Sequence, residues 1–134
     1  MASAAFLADT NVISELVRPR PNPGIEAWAR QTNRLALSVV TVEEVFYGLA
    51  RRPHIRVQRW FDQFVRQHCE ILDVNREIAA LAGDIRGRLA RGGAVRSQSD
   101  MLIAATASYH DLTLVTRNSR DFEGCGIRVL DPSS

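Results

Sequence analysis

Short apolar runs alternate along this chain with longer stretches of helical periodicity, and that alternation restricts the fold more than any other feature. Ala4 to Ala8, Leu35 to Val40, Cys69 to Val74, Leu112 to Thr116 and Ile127 to Leu130 have strand length and are mostly apolar. Asn11 to Val17 and Gly24 to Gln31 read as short helices, the first stopped by Pro19, Pro21 and Pro23. Thr41 opens a helix whose Val42, Val45, Phe46 and Leu49 form one stripe, ended by Pro53. His54 to Arg66 follows, with Val57, Trp60, Phe61, Phe64 and Val65 on one face. Asn75 caps a long helix to Arg91. After Gly92-Gly93, a helix beginning at Ser97 or Ser99 is apolar nearly all round, which buries it between layers. Strands separated by helices pair in parallel through right-handed crossovers, with helices on both faces. The expected fold is α/β, with ligands bound outside the C-terminal ends of the strands.

A chain of 134 residues, 46% hydrophobic, reads as one domain over residues 1–134 with a sufficient core of its own. Cys69 and Cys125 form no C-x-x-C pair and no zinc spacing, and His54, His68 and His110 lack a close ligand spacing. No apolar run reaches the roughly 18 residues of a membrane span, and no secretion signal opens the chain. A reduced, cytoplasmic setting is the expectation. All 17 basic residues are Arg. A GC-rich genome accounts for that bias, and Arg also suits bidentate phosphate contact. Arg51, Arg52, Arg56 and Arg59 cluster at one helix junction, and Arg86, Arg88, Arg91 and Arg96 near the double glycine. Each cluster is a solvated face or a track for a nucleic-acid backbone.

The acids fall on this map in a pattern. Asp9 ends the first strand, Glu44 lies in the first turn of the helix after the second, and Asp121 follows the strand Leu112 to Thr116. Asp100 joins them if its helix starts at the same edge of the sheet. Taken singly, each has an ordinary explanation. Thr41 with Glu44 and Ser97 with Asp100 match capping boxes, Asp9 could cap a helix, and Asp121 could hold a turn. Taken together they form a pocket of like charges, which raises the pKa of its members until a cation relieves it. Carboxylates with retained waters suit Mg²⁺ or Mn²⁺ better than zinc. Such a metal lowers the pKa of bound water and clamps phosphate oxygens, the requirements for hydrolysing a phosphodiester. Periodicity leaves Glu43 and Glu44 open: Thr41, Glu44 and Gly48 share one helix face, Glu43 and Tyr47 the other flank.

Four segments resemble PIN-domain toxins of the VapC type. Leu7-Ala-Asp-Thr-Asn-Val-Ile-Ser14 resembles the family's LDTNxxS start, and Ser38-Val-Val-Thr41-Val-Glu-Glu44-Val-Phe-Tyr-Gly48 its S-x-x-T-x-x-E segment followed by glycine. Asp100-Met-Leu-Ile-Ala-Ala-Thr-Ala107 is similar to its D-x-x-I-A-A-x-A helix, and Thr116-Arg-Asn-Ser-Arg-Asp-Phe122 to its T-R-N/D-x-x-D-F segment. The motifs stand in the family's order across nearly the whole chain. The resemblance implies a three-layer α/β/α fold with a four- or five-stranded parallel sheet. It implies a Mg²⁺ or Mn²⁺ endoribonuclease for single-stranded regions of tRNA, rRNA or mRNA. It also implies a homodimer, and a neutralising antitoxin that forms a heterotetramer or larger complex and reaches operator DNA. The family register selects Glu44 and matches Asp9, Glu44 and Asp100 to metal-site acids. Some relatives carry the fourth acid at the position of Asn118; here Asp121 would supply it, with Asn11, Thr116 and Asn118 in support.

Two other functions fit the same residues. One is a non-catalytic corepressor module working with a DNA-binding antitoxin, and the other a DNA-directed or structure-specific nuclease. The aromatic stripe Val57, Trp60, Phe61 and Phe64, with Ile25 and Trp28, is read as core, part of it free to form an antitoxin groove or dimer contact.

Overall fold

Side chains alternate across the strands and sort the core into two halves. The computed structural model describes residues 4–134 and contains β1 (Phe6–Ala8), β2 (Leu35–Ser38), β3 (Cys69–Leu72), β4 (Thr113–Val115) and β5 (Val129–Leu130), all parallel in the order β3-β2-β1-β4-β5. Leu7, Ala36 and Leu114 pack on one side against α5 (Arg76–Arg91) and α6 (Gln98–Tyr109). Ala8, Leu35, Leu37 and Val115 pack on the other, in the cluster that holds Val12 and Ile13 of α1 (Thr10–Leu16) and Ile25 of α2 (Pro23–Gln31). That cluster also takes residues from α3 (Val39–Arg51) and α4 (Ile55–His68). The result is the expected three-layer α/β/α fold, with five strands.

Helix α6 is buried as its composition requires: Met101, Ile103, Ala104, Ala105, Thr106 and Ala107 are all enclosed, and the Thr106 hydroxyl turns back on the Leu102 carbonyl at 2.8 Å. Asn75 caps α5, accepting from the Ile78 N–H at 2.8 Å. Of the two serines considered, Ser97 caps α6.

One boundary differs from the sequence reading. β2 stops at Ser38, whose hydroxyl accepts from the Val40 N–H at 3.0 Å and starts α3 at Val39. Thr41 is therefore inside the helix, fully buried, and the Thr41–Glu44 capping box is replaced by the Ser38 cap. Glu44 consequently lies past the first turn, where no acid stands. The other strands are also one or two residues shorter than their apolar runs at one or both ends, because the flanking residues turn into caps and loops.

The chain lays β2 and β3 on one side of β1, then returns to add β4 and β5 on the other. The direction of progression reverses between β1 and β4, which opens a crevice at their C-terminal ends. Among the described residues no helix is long and apolar enough to cross a membrane. Cys69 and Cys125 are buried free thiols, and Cys125 Sγ stands 3.7 Å from Met101 Sδ.

Leu114 lies at the centre of the sheet with no exposed surface. Leu114→Ala should cost about 2–5 kcal/mol, read as a lower urea midpoint at unchanged slope.

Candidate active site

At the reversal point the ends of β1 and β4 are joined through one carboxylate. The Asp9 N–H donates to the Val115 carbonyl at 2.8 Å, so the ladder runs to the residue itself. Asp9 Oδ1 accepts from the Thr10 N–H at 2.8 Å, capping α1, and Oδ2 accepts from the Thr116 hydroxyl at 2.8 Å. Thr116 is fully buried, and its oxygen accepts in turn from Asn11 Nδ2 at 3.3 Å and the Asn118 N–H at 3.0 Å. Its single proton and both lone pairs are used. Asn11, expected to steady an acid, does so at one remove through Thr116; its Oδ1 also accepts from the Arg117 N–H at 3.2 Å.

A second chain of hydroxyls fixes Glu44. Thr10 Oγ1 donates to Glu44 Oε1 at 2.7 Å and lies 2.9 Å from Thr41 Oγ1. Because Thr10 has one proton and gives it to Glu44, Thr41 is the donor to Thr10. Glu44 reaches the cleft and Glu43 is exposed outside it, which settles the choice periodicity left open.

Asp9, Glu44, Asp100 and Asp121 line one cleft, together with Thr10, Asn11, Ser14 and Asn118. Asp100 arrives because α6 starts at this edge of the sheet; His110, just past its other end, lies beside Ala4 and Leu112 at the opposite edge. The Ser97 hydroxyl takes the Asp100 N–H at 3.1 Å. Asp121 sits in a 3-10 turn over Ser119–Phe122, anchored from below by the buried Phe122, and its carboxylate side is exposed.

The charges in this cleft oppose one another. Asp9 is raised from 3.8 to about 6, first by burial and last by the Asp100 and Glu44 charges, against the bonds from Thr116 and Thr10 that pull it down. Asp100 is also raised, by burial and then by the charges of Asp121 and Glu44, against its bond to Ser97 and the nearby Arg96. Among the described residues no group of three or more acids, histidines or cysteines is arranged to hold a metal ion. Mg²⁺ does not need one: it keeps several waters and takes one or two carboxylates plus substrate phosphate. An all-oxygen donor set of crowded carboxylates, two with raised pKa values, fits such an ion.

The PIN-domain family model matches residues 6–124. The chain belongs to the PIN-domain family. It is 33% identical over 131 residues to the tRNA(fMet)-specific endonuclease VapC of Salmonella typhimurium, covering 94% of this chain and 96% of that protein. It is 32% identical over 135 residues to Toxin FitB of Neisseria gonorrhoeae, covering 95% and 97%. Among solved structures, DNA-bound VapBC from Salmonella typhimurium superposes with a TM-score of 0.84 at 31% identity, over 96% of this chain and 98% of that one. The FitAcB crystal structure from Neisseria gonorrhoeae gives 0.81 at 32%, over 95% and 97%.

In this PIN domain several residues around the cleft escaped the sequence reading. Thr10 and Ser14 line it, and Thr41 orients Glu44 through Thr10. The signal was present for Thr41, which shares a helix face with Glu44, but its partner lies 31 residues away. Glu15 is a buried structural acid, held below its ordinary pKa by the Asn22 N–H and then by Arg117 and Arg18; Arg117 Nη1 reaches it at 2.8 Å. The arginine cluster at the double glycine is partly committed: Arg88 pairs with Asp84, and Arg96 binds two backbone carbonyls. Beside the cleft, and sharing Thr10, Ser14 and Glu44 with it, runs an apolar groove of about 300 Å³ lined by Ile13, Val45, Leu49, Val57 and Trp60. Of the aromatic stripe, Trp60 and the buried Phe61 both line the groove wall.

Because the folded pKa of Asp9 exceeds its unfolded value, the native state binds more protons between them, and metal-free stability falls as pH rises from about 4 to about 6. The 3.8-to-6 displacement corresponds to up to about 3 kcal/mol. Urea melts of Asp9→Asn in EDTA should show that this decline flattens and that the variant is no less stable than wild type at pH 7.5.

Proposed function

We propose that this chain is a single-domain, metal-dependent endoribonuclease, the toxin of a toxin–antitoxin pair, acting on single-stranded regions of RNA in the cytoplasm. The observation that carries the reading is the convergence of Asp9, Glu44, Asp100 and Asp121 on one cleft at the C-terminal edge of the sheet. The names of the relatives support the same activity: VapC ribonuclease of Sinorhizobium fredii and tRNA(fMet)-specific endonuclease VapC of Salmonella typhimurium.

The four carboxylates would hold Mg²⁺ or Mn²⁺. The bound ion supplies a water of lowered pKa and positive charge beside the phosphate oxygens. The protein's own part is preorganisation: Thr116 fixes Asp9, the Thr41–Thr10 relay fixes Glu44, and both pairs are locked before substrate arrives. Asn118, exposed at the rim of the cleft, would contact a phosphate or water. The apolar groove leading to Glu44 suits an amphipathic segment of a cognate antitoxin. In this reading the toxin forms a homodimer, joins its antitoxin in a heterotetramer or larger assembly, and meets operator DNA through the antitoxin.

Total RNA incubated with antitoxin-free protein should yield discrete fragments with Mg²⁺ or Mn²⁺ and none with EDTA. Asp100→Asn should lower the rate by about 100-fold or more, since loss of an outer-shell partner alone typically costs ten- to hundredfold. Intact RNA in every lane, with operator repression retained in the presence of antitoxin, would favour the corepressor module. Cleavage of DNA oligonucleotides in preference to RNA would favour the DNA-directed nuclease.

A further inference from the structure

One guanidinium ties together the two elements that carry Asp100 and Asp121. Arg96 directly precedes Ser97, the cap of α6, so its backbone is fixed to the helix start that presents Asp100. Its Nη1 donates to the Arg120 carbonyl at 2.7 Å and its Nη2 to the Glu123 carbonyl at 3.1 Å. Those two carbonyls bracket Asp121 within the 3-10 turn. The turn is otherwise held from beneath by Phe122, and it leaves through Gly124 at φ +83°, where a Cβ would stand 2.9 Å from Leu89 Cδ2. Among the described residues, another contact from the start of α6 towards the end of the turn is the buried one between Met101 Sδ and Cys125 Sγ at 3.7 Å. A planar fork suits the task, because two carbonyls at fixed separation are met by two parallel N–H vectors.

We infer that Arg96 is a positioning residue that holds Asp121 opposite Asp100 and thereby sets the affinity of the cleft for its divalent cation. The inference rests on the nuclease reading, since it assigns Arg96 a part in building that same site. Two simpler roles make different predictions. As a nearby positive charge, Arg96 stabilises the Asp100 carboxylate and opposes a cation, so its loss would tighten metal binding. As a stabilising clasp alone, its loss would lower the melting temperature and leave metal affinity unchanged. Only a positioning role makes binding weaker. Arg128 provides the matched control: it makes three bonds to Asp111 and Thr113 at 3.0–3.3 Å, none to the residues that line the acidic cleft.

The test is direct Mn²⁺ binding to the full chain, free of antitoxin, followed by the paramagnetic resonance of unbound Mn²⁺. Arg96→Ala should weaken binding about tenfold, the lower end of outer-shell effects. Arg96→Lys keeps the charge but loses the fork, and should fall between Arg96→Ala and wild type; should the alanine variant fail to fold, the lysine variant carries the comparison. Arg128→Ala should bind as wild type. The double variant Arg96→Ala with Asp121→Asn should bind no more weakly than Asp121→Asn alone, because both remove one ligand's contribution. Wild-type affinity in both Arg96 variants, tighter binding in either, or additive losses in the double variant would overturn the inference. If wild type itself binds no more Mn²⁺ than Asp100→Asn, the metal-site reading falls first and takes this inference with it.

Discussion

The Thr116 hydroxyl, enclosed between the ends of β1 and β4, is the point on which the cleft is built. It gives its proton to Asp9 and receives from Asn11 and Asn118, so a single oxygen joins α1, the strand ends and the loop that leads to Asp121. Asp9 has two further duties in the fold: it extends the β1–β4 ladder and caps α1. An acid with three structural bonds cannot rotate away from its neighbours to relieve repulsion. The burial that raises its pKa, and the neighbouring charges that add to it, are therefore built into the backbone and do not depend on a mobile side chain.

That arrangement runs against stability, and the fold offsets it locally. Asp9 stands at the N-terminus of α1 and Asp100 in the first turn of α6, where helix dipoles favour negative charge by about 0.3–1 kcal/mol each. Both accept or neighbour N–H donors that a neutral residue would satisfy equally well. The helix ends thus moderate the repulsion without cancelling it, and both acids remain displaced upward, by burial first and by the charges of neighbouring carboxylates second. Glu15 shows the contrasting case. Buried among Arg117, Arg18 and the Asn22 N–H, it is compensated within the chain and displaced downward, which marks it as a structural acid.

The layered fold and the position of the acids could be read from sequence because both follow from local pattern. Apolar runs mark strands, Asp9 and Asp121 follow two of them, and Asp100 sits in the first turn of its helix, while Glu44 lies one turn further into α3 than its capping pattern suggested. Asn75 and Ser97 as caps were equally legible. Thr116 was named in support through the family motif, but its bond to Asp9 107 residues away was not legible, and Thr10 and Thr41, paired across 31 residues, were not singled out at all. The start of α3 shows why. Ser38 and Thr41 are both good caps by type, and a hydroxyl on α1 that needs the Thr41 proton leaves the capping to Ser38. Tertiary satisfaction chose between two locally equivalent readings.

The uniform use of arginine takes on a different meaning in the folded chain. Read as composition, it suggested contact with phosphate. In the structure several guanidiniums are spent on the protein's own backbone: Arg96 on Arg120 and Glu123, Arg128 on the Asp111 carbonyl, and Arg56 on Val17. Asp111 has φ +55°, a conformation uncommon outside glycine, and Arg128 bonds both its carbonyl and its carboxylate. These clasps span loops whose carbonyls have no ladder to join, and they need donors at fixed spacing, which a lysine ammonium does not present. A small three-layer fold with strands of two to four residues has few ladder bonds with which to fix its loop geometry. Arginine side chains supply part of that geometry, at the edge of the sheet where the acids are held and at the edge opposite.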